Sequence, residues 1–302
     1  MLGRLRMSIK EAIDCYDNLA GKVFSELKRG GDGKYKARSL EKVIKAIVKE
    51  RTGDSEAQVL DDGALGGVCN TCVHTSQSKA ITLYLIRFVC AMNAHNLNAR
   101  IPVLFRTYVS PKEPSIPCTI WQAARATSAA PTFFKRVFIG PIARPEPFID
   151  GGVGRNNPTP QVLEEAELMF PDRNIACVIS IGTGKPGMTN VPTPGFFERN
   201  LVPVGVIQAM VAIATDCEET AQQMEKRFKH PPKVYFRFNV EHGLQNVKLG
   251  DWDRMGEVAA HTRSYMNMPE VDQRLAPAVK AIRERKGVVK TSAISMEQDL
   301  LH

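Results

Sequence analysis

Apolar positions recur at helical spacing along the first quarter of the chain. Ile9, Ile13, Tyr16, Ala20, Val23, Phe24 and Leu27 line one face of a helix expected over Ser8 to Lys28. Ser8 with Glu11 makes a capping box at its start. Gly30-Gly31-Asp32-Gly33 ends it in a loop. A second helix is expected over Ser39 to Arg51, capped by the Ser39 hydroxyl, with Val43, Ile44, Ile47 and Val48 on one face and Gly53 as its C-cap. The period then changes. Phe88 to Met92 and Pro102 to Val109 read as strands, rich in β-branched and aromatic residues. Trp121 to Ala130 reads as a helix of small residues, followed by Phe133 and Phe134.

A short apolar strand, Pro147-Phe148-Ile149, runs into Asp150-Gly151-Gly152. Beyond it come a helix over Gln161 to Met169 with glutamates in its first turn, and a continuous buried strand over Ile175 to Ile181. A long helical stretch from Val204 to Phe228, a strand from Val234 to Phe238, and helices over Trp252 to Met266 and Val271 to Glu284 follow. The tail from Gly287 to His302 carries no pattern and is expected to be poorly ordered. Strands alternating with helices imply an α/β fold with a mostly parallel sheet covered on both faces.

Composition narrows the class. The chain has 302 residues, 43% of them apolar and 24% charged, which suits an ordinary globular protein. No run of eighteen apolar residues exists, and no charged-then-apolar secretory segment opens the chain. Seven cysteines, odd in number and scattered, fit a reducing compartment and a cytoplasmic location. The net charge of +8 would draw the chain toward anionic surfaces, but no Lys/Arg block with interleaved aromatics points to nucleic acid.

Asp150 is the strongest chemical candidate. An acid at a strand end, followed by Gly151 and Gly152, can aim a carboxylate into a cleft, the glycines permitting positive φ and leaving room for a ligand; taken alone, the same three residues read more readily as a strand ending in an Asp-Gly turn. Other signals are weaker. Cys69-x-x-Cys72 with His74 supplies only half of a zinc site. His95 falls on a loop, where a solvated role is the default. Gly182 to Gly187 matches G-x-G-x-x-G, but Pro186 lies inside it and Pro192 and Pro194 follow where a phosphate-binding helix should run. It reads as a strand-to-loop turn, with a nucleotide site as a third and weaker functional reading.

The run "AARATSAAPTFF", then "FIDGGVGRNNP", resembles the patatin-like phospholipase family. The resemblance extends to Asn156-Asn157-Pro158, to Val178 to Gly184, and to "LGDWDRMGEVAAHT" near the end. It implies a three-layer α/β/α fold in one domain over residues 1–285, with 286–302 as a tail. It also implies hydrolysis of acyl esters in membrane lipids or lysophospholipids, without cofactor or metal and with peripheral membrane contact.

Members of this family use a Ser–Asp dyad, its serine in G-x-S-x-G beyond a glycine-rich oxyanion loop. Asp150 matches the acid, and Gly151 and Gly152 shape its turn. The nucleophile has no match: no serine has glycine at both −2 and +2. Gly53-Asp54-Ser55-Glu56-Ala57 comes nearest and reads as a loop. Met1 to Ser8 resembles the segment just after the nucleophile helix of fungal-type members, so the chain is expected to begin past the first strand and the nucleophile. Residues 72–87 fit no family motif and read as an insert. The expectation is a lipid acyl hydrolase holding half of its dyad, inactive alone. The alternative is a non-catalytic remnant that binds lipid or a partner. A missing strand would expose apolar faces and lower solubility.

Overall fold

The computed structural model describes residues 1–28, 30, 33–60, 87–99, 101–185, 217–230 and 233–294. The chain divides into two compact units, Met1–Gly151 and Gly152–His302.

In the first unit, α1 (Ile9–Phe24) starts where the pattern predicts. The Ser8 hydroxyl accepts from the Glu11 N–H at 3.2 Å, and the Glu11 carboxylate accepts from the Ser8 N–H at 2.7 Å. The helix stops at Phe24, short of Lys28, and Leu27 instead forms an antiparallel bridge to Tyr35. Only the C-terminal half of its apolar face is buried, through Leu19, Ala20 and Val23; Ile9, Ile13 and Tyr16 are exposed. Helix α2 (Ala37–Thr52) begins two residues before Ser39, so Lys36 takes the N-cap position and no side-chain cap forms. Gly53 closes it at φ 82°, its N–H donating to the Lys49 carbonyl at 2.8 Å.

Strands β1 (Phe88–Asn93), β2 (Pro102–Arg106), β3 (Val137–Ile139) and β4 (Glu146–Asp150) form one sheet in the order β2-β1-β4-β3, with every pair antiparallel. Short connections link β1 to β2 and β3 to β4, and a short connection can only return a strand antiparallel. Helix α3 (Ile120–Thr127) opens with a second capping box, Thr119 with Gln122, and packs on β1, β3 and β4. Its buried face carries Ala123 and Ala126, whose small side chains let the helix approach the sheet closely. Between helix and sheet, Phe105 and Phe148 meet edge to face at 5.3 Å.

The second unit opens with a four-residue turn, α4 (Gly152–Arg155), and α5 (Thr159–Met169), which has Pro160 in its first turn. Because α5 starts at Thr159, its glutamates fall beyond the first turn, contrary to the sequence expectation. The strand expected over Ile175 to Ile181 is two strands. β5 (Asn174–Ile175) pairs antiparallel with β8 (Val289–Lys290), and β6 (Val178–Ile181) pairs parallel with β7 (Tyr235–Phe238). Partners running in different directions require the break at Ala176-Cys177.

The second unit also holds helices α6 (Glu218–Arg227), α7 (Met255–Met266) and α8 (Pro269–Glu284). The residues from 204 to 216, where the expected long helix would begin, lie outside the described set. Within the expected tail, β8 and a 3-10 turn at Thr291–Ile294 occupy residues 289–294.

Helices and sheets together make this an α/β protein. The mostly parallel pairing expected from the alternation is realised, among the described residues, only between β6 and β7.

Candidate active site around Asp150

Burial along β4 falls toward its C-terminal end rather than alternating. Pro147 and Phe148 are buried, and Ile149 and Asp150 are half-buried. Two neighbours hold the Asp150 backbone. It pairs with Ala91 of β1, and its N–H donates to the Ala129 carbonyl, just past α3, at 3.1 Å. Ala129 is itself fully buried. β2 and β4 are both antiparallel to β1, so they run the same way and their C-terminal residues, Arg106 and Asp150, point toward the same end of the sheet.

Gly151 is buried, but for a different reason than the sequence reading gave. A Cβ there would collide with the Cys90 carbonyl, whose carbon lies 2.7 Å from that position. The space beside Gly151 is filled by β1 and leaves no room for a ligand on that side. The left-handed residue of the turn is Gly154, at φ 92°. Gly152, half-buried, begins α4.

In the sequence, Arg125 reads either as ordering a cleft or as solvating the face of a helix of small residues. It does not solvate: it is 2% exposed, with its guanidinium over the Phe134 ring at 5.8 Å and Nη2 donating to the Lys135 carbonyl at 3.1 Å. Burial holds its pKa below the usual guanidinium value, partly offset by Glu41. Thr127 ends α3 half-buried.

Asn157, from the Asn-Asn-Pro motif, is buried at the start of α5. Its Oδ1 accepts from the Thr159 N–H at 3.3 Å and from the Thr159 hydroxyl at 2.7 Å. The Ser180 hydroxyl lies 3.4 Å from the same oxygen and accepts from Arg237 Nη1 at 3.0 Å. This polar knot ties α5 to β6 and β7. Sequence reasoning missed it, because nothing in β-alternation says that Ser180 and Arg237 face each other across a parallel pair.

The remaining candidates have other surroundings. His95 is exposed beyond the far end of β1, where Asn93 hydrogen-bonds Glu146 at the start of β4. Ser55 sits in a turn after α2, next to Asp54, whose carboxylate accepts from the Glu56 N–H at 2.9 Å. In the glycine-rich turn, the Gly184 N–H donates to Asn239 Oδ1 at 2.7 Å, and Asn239 packs against Gly182. That amide, which a phosphate would need, is already taken. Residues 186–187 of the motif, Cys69, Cys72 and His74, and residues 72–86 of the expected insert all lie outside the described residues. Among the described residues no group of His, Cys, Asp and Glu could hold a metal ion, and no helix is long and apolar enough to cross a membrane.

The model of the patatin-like phospholipase family matches residues 7–163, just over half of the chain and inclusive of α3, β4 and Asp150. The chain belongs to this family. It is similar to the calcium-independent phospholipase A2-gamma of Mus musculus, 28% identical over 171 residues that make up 55% of this chain and 20% of that protein. The human protein of that name is 34% identical over 122 residues, 40% of this chain and 14% of that one. Phospholipase A I of Arabidopsis thaliana is 32% identical over 135 residues, 44% of this chain and 10% of that protein. The chain therefore spans a fifth or less of the length of these relatives.

Proposed function

We propose that this chain carries the acid half of a lipid acyl hydrolase, with Asp150 as the catalytic carboxylate and Gly151 and Gly152 fixing the turn that presents it. The observation that supports this most is the clasp on Asp150: the residue stands at the end of β4, with its backbone held by β1 and by the end of α3, inside the family match. A carboxylate so held can take the proton of an attacking serine hydroxyl directly, with no histidine between them. Backbone N–H groups would then stabilise the tetrahedral oxyanion. The substrate class is a membrane phospholipid or lysophospholipid reached by peripheral contact with the bilayer, with no cofactor, in a cytoplasmic setting.

These 302 residues contain no G-x-S-x-G serine, so by themselves they lack a covalent route. This observation favours a second reading, a non-catalytic remnant that binds lipid or a partner. One experiment separates the two. Hydrolysis of a fluorogenic phospholipid is measured for this chain and for the chain joined in frame to its upstream genomic sequence, each with and without Asp150→Asn. The hydrolase reading expects turnover only in the extended chain, and a loss of about 10²-fold or more with Asp150→Asn. Full turnover by the extended Asp150→Asn variant would overturn Asp150, and an inactive extended chain would favour the remnant.

A further inference from the structure

Arg125 occupies a costly place. Its side chain is 98% removed from solvent, and none of the described carboxylates lies within ion-pair distance of it. Its Nη1 is buried with no hydrogen-bond partner. Glu41 acts on it only as a distant charge. An uncompensated buried cation weakens a fold, and apolar replacements of such groups are often neutral or stabilising. Stability therefore does not account for this residue, and what it holds must.

What it holds is a closed loop. Arg125 lies in the last turn of α3, and its Nη2 reaches ten residues ahead to the Lys135 carbonyl at 3.1 Å. Between these two ends run Ala129 and Ala130, then Thr132 in the left-handed region at φ 71°, then Phe133 and Phe134, whose N–H groups both donate to the Ala130 carbonyl at 3.0 Å. Thr132 is β-branched, and such residues avoid positive φ unless their surroundings impose it. The guanidinium, pressed against the Phe134 ring, supplies part of that constraint. Ala129, on the same loop, is the residue whose carbonyl receives the Asp150 N–H.

We infer that Arg125 is a positioning residue for Asp150. It staples the loop from 126 to 135, which fixes the Ala129 carbonyl and with it the backbone of the acid. This rests on reading Asp150 as the catalytic carboxylate. Its test, however, reads no turnover and so fails or succeeds independently of that reading.

The experiment is amide hydrogen exchange by NMR on the intact 302-residue chain, with Arg125→Met and Arg125→Lys. Arg125→Met keeps the length and removes the buried charge and the donor. It is expected to melt at the wild-type temperature or above, while the Asp150 amide exchanges roughly tenfold faster or more and the amides of the β1–β2 ladder keep their rates. Arg125→Lys retains a donor for the Lys135 carbonyl and is expected to hold Asp150 within about threefold of wild type. A merely structural arginine would move all the sheet amides together and lower the melting temperature. That outcome, an unchanged Asp150 rate in Arg125→Met, or failure of Arg125→Met to fold would each overturn the inference.

Discussion

Gly151 is held to glycine by its neighbours. The pair of glycines after Asp150 was visible in the sequence, and the conformational freedom of glycine was the natural account of it. The actual constraint is contact. The backbone of β1 at Cys90 lies where a side chain would go, and a neighbour brought in from another strand leaves no trace in the local sequence. Gly151→Ala is accordingly expected to push β4 away from β1 and to cost about 2 kcal/mol or more, as overpacking at a rigid backbone contact does. A urea titration checks this, and a midpoint unchanged from wild type would contradict the contact. Arg125 was only half legible for a related reason: on a helix of small residues it reads as well toward a cleft as toward solvent, and only the fold reveals that its face is inward.

Helices with local signals were the most readable parts. Ser8 with Glu11 is legible as a capping box; the Thr119–Gln122 box is as local, yet the sequence reading starts that helix only at Trp121. Strand partners were not readable, since pairing depends on residues far apart. The single apolar run from Ile175 to Ile181 serves two sheets of opposite sense, which periodicity alone cannot reveal.

The start of α1 carries a testable pH response. The Ser8 N–H and hydroxyl, then Arg51, hold the Glu11 carboxyl below its ordinary value of 4.5. The folded value is depressed, so the stabilising contribution is present above 4.5 and is lost as pH falls through the folded value. The first amides of α1, corrected for intrinsic rates, should therefore lose protection between neutrality and strong acid. Glu11→Gln should lack that acid-dependent part. Ser8→Ala should weaken the helix at every pH, by about 1 kcal/mol. A wild-type profile flat in pH would show the cap contributes nothing.

Across the two units, the described apolar surface is uneven. β6 turns Ile179 and Ile181 outward, the latter 78% exposed, and among the described residues its one strand partner is β7. Contiguous exposed apolar strand surface invites self-association. Ile181→Lys is expected to raise the monomer fraction in sedimentation velocity while changing stability by no more than about 0.5 kcal/mol. An unchanged sedimentation profile would place the sticky surface elsewhere.

The pairing of β5 with β8 also has a consequence for synthesis. The Thr291 hydroxyl donates to the Phe170 carbonyl across 121 positions of chain, and Ile175 waits for Val289. At about 5–20 residues per second, a ribosome needs roughly 6–24 s to make that intervening stretch. The first unit, contiguous from Met1 to Gly151, can finish folding in that interval. β5 emerges long before its partner and stays an open edge until β8 has been made, so this is where a nascent-chain chaperone would be needed most.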